Sequence, residues 1–230
     1  MSDTLDARRQ IVLICRRLYE RGHIAGPDGN VSVRLASDAV LSTPAGMSKV
    51  DVTEDDLVEV SLAGDPLRGS RPVSSEIRVH LRLYRRRPDV MAVVHAHPPM
   101  ATAFAVAGES LDRPVLPELI WQVGWVPLVP YAMPGTEALA DELEPFIERH
   151  DAFLLANHGA LTAGPSLTVA HQRMESLEHT ARILFTARLL GRVRTLAPED
   201  VRALVEARTR AFPDEVYPGC PVADGGWSDA

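Results

Sequence analysis

The sequence predicts an α/β fold in which helices cover a largely antiparallel β-sheet. Near the N-terminus, the alternating runs VSVRL and AVLST have the pattern of a β-hairpin. Further along, short apolar runs such as VMAVVH and AFLLA stand between segments whose apolar residues recur at helical spacing. Because hairpins and helices are mixed without a strict β-α alternation, the pattern favours an antiparallel sheet sandwiched by helices.

The N-terminal half begins with an amphipathic helix that Gly22 stops. A serine, Ser74 or Ser75, is expected to cap the second helix, and Pro88 prevents much continuation beyond 86. The predicted order is a helix over 4–21, a hairpin of 31–35 and 39–43, a strand over 57–62, a loop over 64–72, a helix to 86 and a strand over 90–95.

The C-terminal half is predicted to be mainly helical around one further buried strand. Its predicted order is a proline-started helix over 100–106, a stretch of short apolar pieces and prolines over 115–130, a helix over 135–149, a strand over 152–156 with 161–163 pairing nearby, and helices over 167–190 and 198–210. Residues 1–212 are therefore expected to form one domain, and 213–230, rich in proline, glycine and aspartate, a loose arm.

Composition narrows the class of protein. A chain of 230 residues can bury a core without disulfides, and its two cysteines lack the CxxC spacing of a zinc ribbon. The net charge of -7 argues against a nucleic-acid partner. The N-terminus carries charges throughout, unlike a signal peptide, and no apolar run reaches the roughly 18 residues of a membrane span. We expect a cytoplasmic protein with a small-molecule partner and no membrane partner.

Three histidines stand where predicted strands end. His95 and His97 follow an apolar run with i, i+2 spacing, so in an extended chain both side chains lie on one face. His158 follows AFLLA in the same way, and Gly159 permits a tight turn after it. Three histidine ligands with an open position are typical of a catalytic zinc site. From spacing alone, strand-end histidines bonded to backbone remain an equal alternative.

Glu76 lies at the start of the second predicted helix, where free N–H groups and the helix dipole favour anions. It is either a functional acid/base or an ordinary first-turn acid. Asn30 in GNVSV and Gly46 in STPAG lie in turns with many exposed backbone groups, which could hold an anion or simply punctuate hairpins.

Together the motifs resemble the class II aldolase and adducin family, of the fuculose-phosphate aldolase type. They occur in family order and spacing over about 5–205: GxxGNVSVR from Gly26, STPAG (42–46), SSE (74–76), VVHAHP (93–98), PYxxPGT (130–136) and LxNHG (155–159).

The resemblance implies a three-layer α/β/α sandwich and a homotetramer with active sites between subunits. It implies one divalent metal per subunit on His95, His97 and His158, with zinc favoured and manganese, cobalt or iron as alternatives. Glu76 would alternate between ligand and base, with a pKa raised by burial and balanced against the cation. Four residues would bind a substrate phosphate or other anion: Asn30, Gly46, Ser74 and Ser75.

Two departures from the family pattern concern the anion. The family has a threonine where this chain has Pro27, and a threonine or serine where it has Ala45, so two hydroxyl donors are missing. Asp28 adds a negative charge beside them. A substrate with a carboxylate, or with no anion, therefore becomes an alternative to a phosphate.

A third departure concerns the proton donor. Where these aldolases place a tyrosine that reaches a neighbouring subunit, the chain has Glu118, which is a replacement acid, a sign of another reaction or a helix-start residue. Tyr131 is expected to be packed. Tyr217, on the tail, is expected to be exposed, although it could close over a site.

The predicted function is a metal-dependent lyase that cleaves a carbon–carbon bond of a small hydroxyketone, such as a sugar phosphate, by a retro-aldol reaction through a metal-stabilised enediolate. Decarboxylation, epimerisation or dehydration of a keto or hydroxy acid at the same site is the alternative, favoured by the missing hydroxyls and Glu118. An adducin-like binding domain is disfavoured, since such domains lack the metal ligands that this chain retains, and the order of motifs argues against a zinc hydrolase.

Overall fold

The computed structural model describes residues 2–35 and 39–213. These described residues form seven α-helices, numbered α1 to α7 in chain order: Ser2–Glu20, Ile77–Arg86, Pro99–Ala107, Pro117–Gln122, Glu137–Leu143, Leu167–Leu189 and Pro198–Ala211. Within these residues, every helix is too short or too polar to cross a membrane. The predicted arm lies outside the described residues except for its first residue, and Tyr217 lies outside them as well.

One mixed sheet forms the centre of the fold. Its strands are β1 to β8 in chain order: Asn30–Arg34, Ala39–Ser42, Val58–Ser61, Pro66–Arg68, Ala92–Ala96, Leu128–Val129, Ala152–Leu155 and Gly159–Gly164. They lie in the order β4-β3-β2-β1-β5-β8-β7-β6, and every pair is antiparallel except β6 with β7. The predicted largely antiparallel sheet and its N-terminal hairpin are confirmed.

Helices bury both faces of the sheet, which confirms the predicted sandwich. Successive strand residues point to opposite faces, so Val94 and Leu154 join one core while Val93 and Phe153 join the other. The first core is completed by apolar residues of α1, α3 and α6, and the second by those of α2 and α5. Double burial explains why the central strands are continuously apolar rather than alternating.

Several predicted boundaries are wrong. Glu76, not Ser74 or Ser75, is the N-cap of α2, and it makes no side-chain capping bond. The helix predicted over 135–149 ends at Leu143 and continues as a 3₁₀ turn containing Pro145, which cannot donate to the helix ladder. The loop predicted over 64–72 contains the edge strand β4, and 115–130 contains α4 and β6.

A buried glutamate of α6 fixes the start of α3. Pro98, at the N-cap of α3, makes no side-chain capping bond. Instead, the carboxylate of Glu178 accepts hydrogen bonds from the backbone N–H groups of Met100 at 3.0 Å and Ala101 at 2.9 Å. The first N–H groups of a helix have no partner within the helix, and this contact satisfies two of them. The contact places a negative charge at the positive end of the helix dipole, which is stabilising. It also anchors the segment just after His97.

Replacing this carboxylate tests its structural role. We expect Glu178→Gln to lower the free energy of unfolding by about 2 kcal/mol, since hydrogen bonds to a buried charged group are lost. Urea denaturation followed by circular dichroism measures the change. Glu142→Gln, the same substitution at an exposed position of α5, is the control and should have little effect. Equal losses in both variants would contradict the capping role.

Candidate metal centre

The pairing of β1 with β5 sets the position of the first histidine. His95 is in register with Asn30 across these antiparallel strands, so the two side chains lie on the same face. The Nδ1 atom of buried His95 lies 2.9 Å from the carbonyl oxygen of Ala160 in β8. A proton on Nδ1 donates to this carbonyl and leaves Nε2 with a free lone pair, the form in which histidine binds metals.

A strained turn between β7 and β8 presents the third histidine. Asn157 has φ 55°, a left-handed conformation that asparagine tolerates better than most residues. His158 follows it, and Gly159 begins β8. A Cβ atom on Gly159 would lie 2.5 Å from Cδ2 of His97, so only glycine fits between the two histidine-bearing segments.

The three imidazoles converge as the strand-end pattern predicted. One potential ligand atom from each of His95, His97 and His158 lies within 4.8 Å of the others. The Nε2 atoms of His95 and His97 are 3.2 Å apart. Tetrahedral zinc with metal–nitrogen bonds of about 2.0–2.1 Å holds its ligand atoms roughly 3.3–3.4 Å apart, so this spacing fits a shared cation.

Glu76 closes one side of the cluster. Its Oε1 lies 3.0 Å from Nε2 of His158, and its Oε2 lies 3.3 Å from Nε2 of His95. The side-chain amide of Asn30 donates to Oε2 at 2.8 Å and fixes the carboxylate. A carboxylate in this position could be a fourth ligand or a base beside the metal.

Electrostatics in the cluster favour a neutral His97 and an ionised Glu76. Against the opposing effect of burial, Glu76 raises the pKa of His95. Burial, followed by the charges of His95 and His158, lowers the pKa of His97 to about 4, so its ring is neutral near pH 7. Burial alone would raise the pKa of Glu76, but its interactions with His95 and His158 outweigh burial and hold the pKa below its usual range. The interactions with His95 and His158 therefore favour the carboxylate form of Glu76, and the balance between burial and a bound cation remains a prediction.

The residues predicted to bind an anion lie beside this cluster. The amide of Asn30 donates to Oγ of Ser74 at 3.4 Å. The STPAG turn lies against the same segment, because Ala45 N–H donates to the carbonyl of Pro72 at 2.9 Å. Ser75 and Gly46 are exposed, with open space around Gly46. Binding of an anion by these residues remains a prediction.

Glu118 lies apart from the cluster within one chain. It is exposed at the start of α4 and borders a surface cavity of about 540 Å³, which is also lined by Arg21, Gln122, Glu175 and His179. A role in a neighbouring subunit's site stays a prediction. The side chain of Tyr131 is 57% exposed, so the prediction that it is packed is wrong. Strand β6 ends at Val129, and Tyr131 lies beyond that end, after Pro130.

Two neighbours of the cluster escaped sequence reasoning. Asp28, expected only to repel an anion, places Oδ2 3.5 Å from Nδ1 of His97, on the side away from the other histidines. Lys49 is buried, and its Nζ contacts two glycine turns, the turn over 26–29 at Pro27 and the STPAG turn at Met47. Lys49 belongs to no sequence motif that would have identified it. Its being the only lysine in the sequence is the one feature that sets it apart.

Three clustered histidines and a carboxylate, at the ends of central strands of an α/β/α sandwich, define a site that could bind a divalent metal and act on small molecules. Residues 9–185 match the family described as "Class II Aldolase and Adducin N-terminal domain". The chain belongs to this family, whose class II aldolases use a divalent metal, so the family resemblance is confirmed.

Relatives with different activities share this fold. A 3-oxo-tetronate 4-phosphate decarboxylase of Pectobacterium atrosepticum is 36% identical over 211 residues, covering 89% of this chain and 94% of the relative. An L-fuculose phosphate aldolase of Methanococcus maripaludis is 34% identical, covering 76% and 93%. The solved structure of YgbL from Escherichia coli, described as a candidate aldolase, epimerase or decarboxylase, superposes with a TM-score of 0.82 at 34% identity, covering 88% and 99%.

Removing one histidine tests the metal centre. We expect the purified protein to bind about one zinc ion per chain, and His95→Ala to weaken this binding by at least about 100-fold, more than the loss of an outer-shell partner costs. Competition with a zinc chelator measures the affinity, and circular dichroism checks folding. His179→Ala, at an exposed histidine of α6, is the control. Unchanged zinc affinity in His95→Ala would contradict the site.

Proposed function

We propose that the protein is a divalent-metal-dependent decarboxylase of a small phosphorylated 3-oxo acid, of the 3-oxo-tetronate 4-phosphate type. The observation that carries the proposal is the cluster of His95, His97, His158 and Glu76, held in a chain that matches such a decarboxylase over 89% of its length. This replaces retro-aldol cleavage, the first expectation from the sequence, with its stated alternative.

The chemistry of such a substrate fits this site. In a 3-oxo acid, the bond between the carboxyl carbon and C2 breaks, carbon dioxide leaves, and the electron pair delocalises onto the keto oxygen. A proton then adds to C2, so the reaction consumes one proton and yields a phosphorylated ketone. A divalent cation held by the three histidines would supply the Lewis acid that stabilises the negative charge on that oxygen.

Glu76 is the proposed proton carrier. As a carboxylate fixed by Asn30, it can accept a proton from a substrate hydroxyl. After carbon dioxide leaves, Glu76 can give that proton to C2, and a proton from solvent restores the hydroxyl, so one proton is consumed overall. His97 and His158 are partly exposed beside it, which leaves the cluster open to a substrate on one side.

The phosphate would occupy the space between the glycine turns and the 74–75 segment. Asn30 and Ser74 are already in contact there, and Ser75 is exposed. Exposed backbone N–H groups in such turns bind anions in the way that helix N-termini do. They would stand in for the two hydroxyls missing at Pro27 and Ala45.

Retro-aldol cleavage is the second candidate, supported by the fuculose phosphate aldolase relative. Both reactions break a carbon–carbon bond next to a keto group and leave the electron pair on the same kind of carbon. The zinc identity, the homotetramer, the cytoplasmic location and the role of Glu118 as proton donor remain predictions.

Product analysis distinguishes the two reactions. The protein, loaded in turn with zinc and manganese, is incubated with both enantiomers of 3-oxo-tetronate 4-phosphate and, separately, with L-fuculose 1-phosphate. We expect carbon dioxide from at least one enantiomer and no aldehyde from the sugar phosphate. Aldehyde release without carbon dioxide would reject the decarboxylase assignment in favour of the aldolase.

Substitution of the proposed proton carrier tests its role. We expect Glu76→Gln to lower kcat by about 10²–10⁴-fold, the usual contribution of general acid–base catalysis, with little change in KM. Steady-state rates of carbon dioxide release measure the effect, and Glu142→Gln is the matched surface control. A raised KM at unchanged kcat would show that Glu76 only binds substrate. Glu118→Gln in the same assay tests the second predicted acid.

A further inference from the structure

Lys49 is the only lysine in the chain, whose other Lys or Arg positions are all arginine. It is 2% exposed and begins the short 3₁₀ helix Lys49–Asp51, three residues after Gly46. Lysine is among the residues least often fully buried, because removing an ammonium from water is costly unless it is paired and hydrogen-bonded. Its burial here calls for partners.

The ammonium joins the two glycine turns beside the metal centre. Its Nζ donates to the carbonyl oxygen of Pro27 at 2.8 Å and to that of Met47 at 2.9 Å. Pro27 belongs to the turn that leads into Asn30, and Met47 follows Gly46 in the STPAG turn. The side chain therefore fixes the two turns relative to each other from their buried side.

The positive charge has no matching carboxylate in the part of the chain that the structure describes. Within 2–35 and 39–213, the two bonds of Nζ go to carbonyl groups, and no carboxylate forms an ion pair with it. Burial lowers the pKa of Lys49, while Cys15, Asp28 and Glu76 act in the opposite direction from farther away. Cys15 supplies no charge near pH 7, because burial raises the pKa of its thiol to about 12.

We propose that Lys49 is a positioning and specificity-determining residue for an anionic group of the substrate, a phosphate monoester. It would hold the two turns at the spacing that the anion needs and supply positive charge beneath them. The anion would in turn provide a counter-charge that none of the described residues places at Lys49. The inference rests on the proposed function only in assigning this anion to the substrate.

The role also accounts for the departures from the family pattern. The hydroxyl donors missing at Pro27 and Ala45 would have contacted the anion directly, and Asp28 adds a repelling charge. A buried lysine bonded to the carbonyl groups of Pro27 and Met47 would compensate for these changes with positive charge behind both turns. Its compact ammonium, unlike a guanidinium, fits between two carbonyl groups.

Phosphate binding to the zinc-loaded protein tests the proposal. Inorganic phosphate is titrated calorimetrically into the wild type and Lys49→Met, which keeps an apolar side chain but removes the charge. We expect the dissociation constant to rise about tenfold or more, because a nearby charge in a partly buried site is lost. Arg192→Met removes the same charge at an exposed position and should leave phosphate binding unchanged.

Unchanged phosphate affinity in folded, zinc-loaded Lys49→Met would overturn the proposal. Phosphate that binds only to the zinc ion would give this result, because its affinity would not depend on Lys49. Should the variant fail to fold, the wild type provides a second test. An amine-acylating reagent can label only Lys49 and the chain's α-amino group, and mass spectrometry follows both. We expect phosphate to slow labelling at Lys49 alone; equal rates with and without phosphate would contradict the role.

These outcomes are independent of the reaction catalysed. Phosphate binding that depends on Lys49, without carbon dioxide release from any 3-oxo acid, would reject the decarboxylase and keep the anion site. Carbon dioxide release, with a phosphate affinity that does not change when Lys49 is replaced, would keep the decarboxylase and reject the anion site.

Discussion

The site depends on the antiparallel register of three neighbouring strands. Pairing β5 with β1 sets His95 beside Asn30, and pairing it with β8 supplies the carbonyl of Ala160 that orients the His95 ring. Because β8 begins directly after His158, the same register brings the third histidine to the end of β5. A slip of one residue would turn His95 to the opposite face, against α3 and α6.

Electrostatics explain why the cluster attracts positive charge, either a cation or a proton. The Nε2 atoms of two imidazoles approach to 3.2 Å, and the Glu76 carboxylate contacts two of the three rings. Neutral imidazoles present lone pairs to each other at this distance, which is unfavourable unless a cation or a proton lies between them. The buried charge of Lys49 is the complementary case, a cation beneath the two turns that are proposed to hold an anionic group of the substrate. In the proposed function, the cation among the histidines would lie where the bond breaks, and the ammonium of Lys49 would lie where the substrate anion is held.

The sequence was sufficient for features with a local physical cause. Apolar runs predicted β5 and β7 because both faces of these strands are buried, and i, i+2 spacing brought His95 and His97 to one region. Features that depend on tertiary contacts were missed. Glu76 stands at the N-cap of α2 without a capping bond, because its carboxylate turns towards the histidines and Asn30. The buried state of Lys49 and the contact of Asp28 with His97 follow from loop packing, which has no sequence period.

Anomalous diffraction at the zinc absorption edge, from crystals of the zinc-loaded protein, tests most directly whether one divalent ion is held between the three histidines. We expect one strong anomalous peak per chain within bonding distance of His95, His97 and His158. Zinc bound elsewhere in the chain, with no peak among these histidines, would contradict this expectation.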